Sequence, residues 1–537
     1  MNPTSDILER ITGSSKQHPD GVFTRLYRYL LREDIYYTAY KNLYANAGAA
    51  TKGIDDDTAD GFGVKYVSGI IESLRSLEYS PKPVRRTYIP KRNGKLRPLG
   101  IPSFRDKLIQ DAIRQILEAI YEPIFSDNSH GFRPGRSCHT AFDRIKYGFN
   151  GTKWFIEGDI KGCFDNIDHK VLLGILAEKI KDSKLINLIG AFLKAGYMEG
   201  WKYFQTYSGT PQGGILSPIL ANIYLHELDK KVAEIKKRFD TTEPKKYTAE
   251  YMQVKREIDS MHMRLRRHPE SPDSEKWKTR KTELKKQLVK VPVYQDNNKR
   301  ICYVRYADDF LIGVVGSKED CATIKAELKG YLADVLKLEL SDEKTKITHS
   351  SENAGFLGYD VSVRRSQELK RRSDGVKQRA LNGTVMLNAP LKDKIEEFLI
   401  SNGYGFRTAK IVPIAAKGLR NRSDFEIVST YNSPIRGICN YYRMASNFPK
   451  LDYFVYIMEY SCLKTLASKH QTTMAKARGS RRTGKRWGVP YETKTGTKTL
   501  VFLNMTDIRK SRKAKLEDVD TVPKSVSKRN EIRNRVQ

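Results

Sequence analysis

Two adjacent aspartates, Asp308 and Asp309, interrupt an apolar stretch, CYVRYADDFLIGVVG at 302–316. Tyr303, Val304 and Tyr306 precede them and Phe310, Leu311, Ile312, Val314 and Val315 follow, the β-branched and aromatic types that favour strands. The pattern predicts a β-hairpin with carboxylates at its tip. Asp is a common turn former, so a lone pair of aspartates would be read as turn chemistry. Two-residue hairpin turns favour Gly or Asn, however, and this tip has neither. Side-by-side carboxylates repel, and burial raises a pKa unless a cation neutralises the charge. A divalent metal ion would do so.

A third carboxylate stands in KWFIEGDIKGCFDNIDH, where Trp154, Phe155 and Ile156 lead a buried strand to Asp159. A helix is expected to follow, with Asp168 as its N-cap, which leaves the chemistry to Asp159. If the strands that end at Asp159 and Asp308 are neighbours in one sheet, their carboxylates meet. Such a group can hold two Mg²⁺ ions roughly 3.5–4 Å apart, one activating a hydroxyl nucleophile and both offsetting charge on a transferring phosphate. Oxygen ligands suffice for Mg²⁺, so no His or Cys is needed.

Two other segments suit a triphosphate. RRTYIPKRNGKLRPLGIP places strand-like pieces on either side of a turn at 91–95, so that Lys91 and Arg97 can clamp one phosphate group. On its own this is also what an exposed basic hairpin looks like. SGTPQGGILSPILANIYL forms a tight loop before a helix beginning near Leu216, with Gln212 placed to hydrogen-bond and Gly213 and Gly214 allowing close backbone approach. In SHGFRPGRSCHTAF, Arg133 and Arg136 lie beside aromatics, as a contact to a template backbone would require.

The 537 residues are enough for several domains, and 39% hydrophobic content is enough for ordinary cores. The formal net charge is +33, a field that favours a polyanion. Six cysteines form no CxxC pair, so free thiols in a reducing compartment are expected and structural zinc is not. There is no apolar h-region at the start and no apolar run long enough to cross a bilayer. A soluble protein is expected, with no membrane partner and no visible export signal or transit peptide.

The elements that would position these residues fall into segments. Residues 1–63 read as a basic helical extension, with helical periodicity in VFTRLYRYLLREDIYYTAYKNLY. Short strands alternate with helices from 64, and the unit closes near 365, interrupted at about 236–298 by a highly charged helical arm broken at HPESPDS. The arm reads equally as a solvated hairpin and as a nucleic-acid contact. Residues 366–490 give helix-like stretches at 392–400, 429–443 and 451–469, and 491–537 form a basic tail.

In order, the blocks RRTYIPKRNGKLRPLGIP, HGFRPGRSCHTAF, EGDIKGCFDNIDH, GTPQGGILSPILANIYLHELD, RYADDFLI, LSDEKTKITHS and FLGYDV resemble the successive motifs of reverse transcriptases encoded by group II introns. The resemblance implies an α+β fold: a right-hand polymerase with fingers, a palm on an antiparallel sheet, and an α-helical thumb or maturase (X) domain. It implies RNA-directed DNA polymerase activity, with Asp159, Asp308 and Asp309 as catalytic metal ligands and two Mg²⁺ as cofactor. Lys91, Arg97 and Gln212 match nucleotide contacts, and Phe164 matches the bulky residue that excludes a 2′-hydroxyl. Asn222 and the region 344–346 match blocks near the nascent base pair and primer. STYNSPIRGICNYYRMASN and the stretch from Tyr460 look like the X region, which grips intron RNA. Its cations Lys469, Lys476, Arg478, Arg481, Arg482, Lys485 and Arg486, with Trp487 beside them, suit phosphate and stacking contacts, although a solvated basic face has the same composition. The implied partners are group II intron RNA, an RNA template with a DNA primer, target DNA and dNTPs, and the implied roles are assisted splicing and retrohoming by target-primed reverse transcription. The tail reads as a probable DNA-binding segment. Members with a Cys/His-rich endonuclease continue past where SKRNEIRNRVQ stops, so cleavage of the bottom DNA strand is not expected. A binding-only maturase, a reverse transcriptase of another lineage and an unrelated two-metal nuclease are the competing readings. The intact carboxylates, the X-like region and the Gln212 loop with Phe164 argue against them in turn.

Overall fold

The two apolar runs pair antiparallel as Arg300–Tyr306 and Asp309–Val315, with Tyr306 opposite Asp309 and Ala307–Asp308 as a two-residue turn. Trp154–Asp159 pairs antiparallel with the second of these strands, and Lys346–His349 completes a four-stranded sheet on its far side. The period-2 alternation then divides two cores. Ile156, Phe310, Ile312 and Val314 face one cluster of buried side chains, while Phe155, Val304 and Leu311 face the other. A sheet covered on both faces explains why these strands read as nearly continuous apolar runs.

This computed structural model describes residues 3–511, apart from 45–47, 49–50, 91–93, 95, 201, 207, 210–212, 245, 296–297, 367–368, 372–376, 380–381, 485 and 494–495. Helices Thr4–Gln17 and Glu33–Tyr44 insert Ile11, Ile35, Tyr36 and Tyr40 into the same core as Ile109, Ile113 and Ile116 of helix Phe104–Tyr121. The first 63 residues therefore have no separate core. The hairpin Val84–Pro90 and Leu96–Ile101 joins Tyr197–Glu199 and Lys202–Phe204 in a second four-stranded sheet.

The palm helix Ser217–Phe239 runs past the expected start of the insertion, and the charged arm follows as helices Ala249–Arg267 and Ser274–Leu288. Val254 and Leu284 are the buried residues of these two helices, and stacked Tyr247 and Tyr294 close the arm's base. Past 366, helices Asp424–Tyr441 and Asp452–Lys469 pack together, as the sequence pattern requires. After these helices, strands Arg486–Thr493 and Gly496–Val501 pair antiparallel, burying Trp487 and Val489 against them. The fold is α+β. Among the described residues, no helix is long and apolar enough to cross a membrane.

Candidate active site

Asp159 lies opposite Asp309 across the central strand pair, and Asp308 occupies the adjoining turn. All three line a cleft of about 1000 Å³ together with Arg97, Phe164, Tyr306 and Lys344. Local sequence explains the close pairing. Gly158 sits opposite Phe310, and a Cβ there would lie 2.1 Å from the ring, so glycine lets the aromatic cover the strand beside Asp159. The following helix His169–Lys179 is capped by Asp168, which accepts from Val171 N at 2.9 Å, consistent with its assigned capping role.

The carboxylates are electrostatically crowded. Burial, then the charges of Asp308 and Asp159, push Asp309 up to about 7. Burial and the Asp159 charge also raise Asp308. Lys344 Nζ lies 2.9 Å from Asp159 Oδ2, and this hydrogen bond with the surrounding carboxylate charge holds the lysine above its ordinary range. Among the described residues, no group of three His, Cys, Asp or Glu side chains already converges as a metal cage. The donor set still fits a hard divalent cation: three oxygen-bearing side chains share a cleft and repel until positive charge separates them.

The folded state retains a proton on Asp309 that the unfolded chain releases near pH ~4, so Asp309 contributes stability below that value which is lost as pH rises toward about 7. In chelator-treated protein, Asp309→Asn should therefore gain in melting temperature relative to wild type between roughly pH 5 and 8. A difference that stays constant with pH would place Asp309 in the ordinary carboxylate range.

What aims the turn was not anticipated from the sequence. Ala307 has φ +55, a left-handed conformation that costs a non-glycine residue roughly 1 kcal/mol. Its carbonyl accepts from Arg305 Nη1 at 2.9 Å. Arg305 is fully buried, bonds Asp229 through Nε and Nη2 at 2.8 and 2.7 Å, and also reaches Asn222 Oδ1 and Ser129 Oγ. Burial works against ionisation of Asp229, yet Arg305 holds its pKa down. Asn222 Nδ2 in turn donates to Gly131 O. A Cβ on Gly131 would stand 2.5 Å from Ala307 N and 3.1 Å from Tyr306 C, backbone atoms that cannot swing aside. Gly131→Ala should displace the turn and lower primer extension by about 10²-fold, the scale of an ångström-sized misplacement. Single-nucleotide extension kinetics would measure this, and near-normal rates would mean that the turn tolerates the methyl group.

Residues 89–252 and 284–361 match the family described as reverse transcriptase (RNA-dependent DNA polymerase), and 382–533 match type II intron maturase. The chain is 55% identical over 513 residues to the group II intron-encoded protein LtrA of Lactococcus lactis subsp. cremoris, covering 95% of this chain and 85% of that one. The chain belongs to the group II intron-encoded reverse transcriptases. It is also 39% identical to an uncharacterized 91 kDa protein in the cob intron of Schizosaccharomyces pombe, across 87% of this chain and 56% of that one. Protein YkfC of Escherichia coli is 30% identical across 72% of this chain and 96% of its own length.

Within this reverse transcriptase, Arg97 and half-buried Phe164 line the carboxylate cleft. Gly213 packs on the fingers strand, where a Cβ would meet Gly100 O at 2.7 Å, and its φ of +108 requires glycine. Lys91, Gln212 and Lys485, and the tail beyond Ser511, lie outside the described residues. Asn222 was expected near the nascent base pair but is buried on Gly131 and Arg305.

Several of the cations expected to contact RNA meet acids within the fold. Arg133 is 6% exposed, forks onto the Glu122 carboxylate and donates to the carbonyls of Ser126 and Ser129, so it is an internal strut. Arg136 pairs with Asp127. The maturase cations that lack acids nearby in sequence find them in space. Lys469 and Arg481 converge with His470 on Asp424; burial opposes its ionisation, but their hydrogen bonds hold that carboxyl well below the usual range. Arg478 pairs with Glu459, and Arg486 with Asp507. Trp487, expected to stack on RNA, is 3% exposed, lies on Phe502 and donates to Glu459. Lys476 and Arg482 remain exposed.

Proposed function

We propose that this enzyme copies RNA into DNA at the Asp159, Asp308 and Asp309 cleft and uses its maturase region to bind and help splice its own group II intron RNA. The observation that carries the reading is the register of Asp159 opposite Asp309, with Asp308 on the turn and Arg97 across the same cleft. Two Mg²⁺ ions held by the three carboxylates would lower the pKa of a primer 3′-hydroxyl and offset charge on the transferring phosphate. Arg97 binds the triphosphate as a cation, and Lys91 is assigned to the same clamp. Gln212 is assigned to the incoming nucleotide on the family resemblance alone. Phe164 occupies the space that a 2′-hydroxyl would need, which selects dNTPs over rNTPs. Before substrate binds, Lys344 holds part of the carboxylate charge.

Intron RNA is held by exposed cations such as Lys476 and Arg482 together with the general positive field of the protein. Target DNA, retrohoming by target-primed synthesis and a bacterial cytoplasmic location complete the proposal. The full chain, given an RNA template, annealed DNA primer, dNTPs and Mg²⁺, should make full-length cDNA and accelerate splicing of its intron at low Mg²⁺. Chelation should abolish the cDNA, and synthesis that survives chelation would remove the metal mechanism.

A further inference from the structure

Phe132 contributes little to the core and carries a strained backbone. The residue is 55% exposed, in the polar cleft that Asp159, Asp308 and Arg97 line. Its φ is +57, in the left-handed region that side chains with a Cβ avoid. An apolar ring left in water gains little from the hydrophobic effect, and the conformation works against it. Stability therefore does not account for a phenylalanine at this position.

The flanking residues show how the strain is imposed. Gly131 is packed against the Ala307 turn and bonded by Asn222, and His130 N donates to Arg305 O at 2.9 Å. On the other side, Arg133 is clamped on Glu122. With both neighbours fixed, the Phe132 ring projects into the cleft. There it meets Phe164 edge-on, with centroids 6.2 Å apart and planes at 87°, and it also approaches Tyr306 at 6.5 Å. Phe164 itself comes from the four-residue helix Cys163–Asn166, entered through Gly162 at φ +56. So short an element does little to fix a ring without an outside neighbour.

We infer that Phe132 is a positioning residue for sugar selection, its ring buttressing Phe164 against the space a ribose 2′-hydroxyl of the incoming nucleoside triphosphate would enter. The inference rests on the reading of Phe164 as the sugar gate. The turn network thereby serves two ends, aiming the carboxylates on one side and presenting Phe132 on the other.

Phe132→Gly removes the ring while giving φ +57 the residue that adopts it freely, so the fold is retained. The readout is the ratio of dNTP to rNTP incorporation by the full-length protein in single-turnover extension. The preference for dNTP should fall roughly tenfold in Phe132→Gly and stay within about twofold of wild type in Phe132→Tyr. Phe164→Ala should lower it at least as far, and adding Phe132→Gly to Phe164→Ala should change it by less than about twofold, because both act through one ring. The inference is overturned if Phe132→Gly keeps the wild-type preference while Phe164→Ala loses it, or if the two losses multiply. A wild-type preference in Phe164→Ala would refute the gate reading, and this inference with it.

Discussion

Replacing Asp308 with Ala is expected to lower cDNA synthesis by on the order of 10³-fold or more while leaving the protein folded, bound to intron RNA and active in splicing. The carboxylate lies on the turn of the palm hairpin, inside the cleft shared with Asp159, Asp309 and Arg97. Its role is to hold charge at one point, and no other acid stands on the turn to replace it. Its contribution to stability has the opposite sign. Burial and the Asp159 charge both disfavour the ionised form, so removing it relieves repulsion and should leave the melting temperature unchanged or raised. Splicing should persist because RNA affinity is spread over many phosphate contacts, none of which needs this turn. Primer extension, intron splicing and thermal melting of the same preparation separate these effects. Extension near the wild-type rate would take Asp308 out of the metal site, and a falling melting temperature would mean that the carboxylate is paired.

The parts of this arrangement that were legible in sequence are those set by local periodicity. The hairpin, the strand into Asp159, the Asp168 cap and the thumb helices each follow from residues within a dozen positions of one another. The convergence of the three aspartates was also legible, because strand ends in one sheet leave few arrangements. What failed was the reading of charge. Arg133 was expected to face RNA because aromatics flank it, and Lys469, Arg478, Arg481 and Arg486 because no acid interrupts their run. Asp424, Glu459 and Asp507 reach the run from helices outside it, and Glu122, the C-cap of helix Phe104–Tyr121, reaches Arg133 from 11 residues earlier in the chain. Arg305 was missed for the converse reason: its partners come from the helix Ser217–Phe239 and the loop near Ser129. The signal was present, since an arginine inside CYVRY has to be compensated if that strand is buried. Asn222 and Asp229 lie two helical turns apart, on one face of that helix.

Arg305→Ala should be among the most damaging single substitutions in this sheet, destabilising the fold by about 3–5 kcal/mol because buried Asp229 keeps the Tyr303 hydroxyl as a donor but loses its cation. Both partners are essentially inaccessible, at 0% and 1% side-chain exposure, so water cannot replace the lost bonds. Lysine is a poor substitute. One ammonium cannot fork onto Asp229 while also reaching Asn222, Ser129 and the Ala307 carbonyl, so Arg305→Lys should recover only part of the stability. The informative variant removes both charges. Arg305→Met with Asp229→Leu fills the space with apolar side chains and should restore part of the melting temperature, because well-packed hydrophobes often match a buried ion pair while the Tyr303 hydroxyl, which donates to Asp229 at 2.7 Å, loses its acceptor. Primer extension should nonetheless stay low, by about 10²-fold, because no donor then holds Ala307 in its left-handed conformation and the neighbouring carboxylates lose their aim. Thermal melting and single-nucleotide extension of the single and double variants would distinguish the two roles. If activity returned together with stability in the double variant, the pair would be holding the palm together and not aiming its turn.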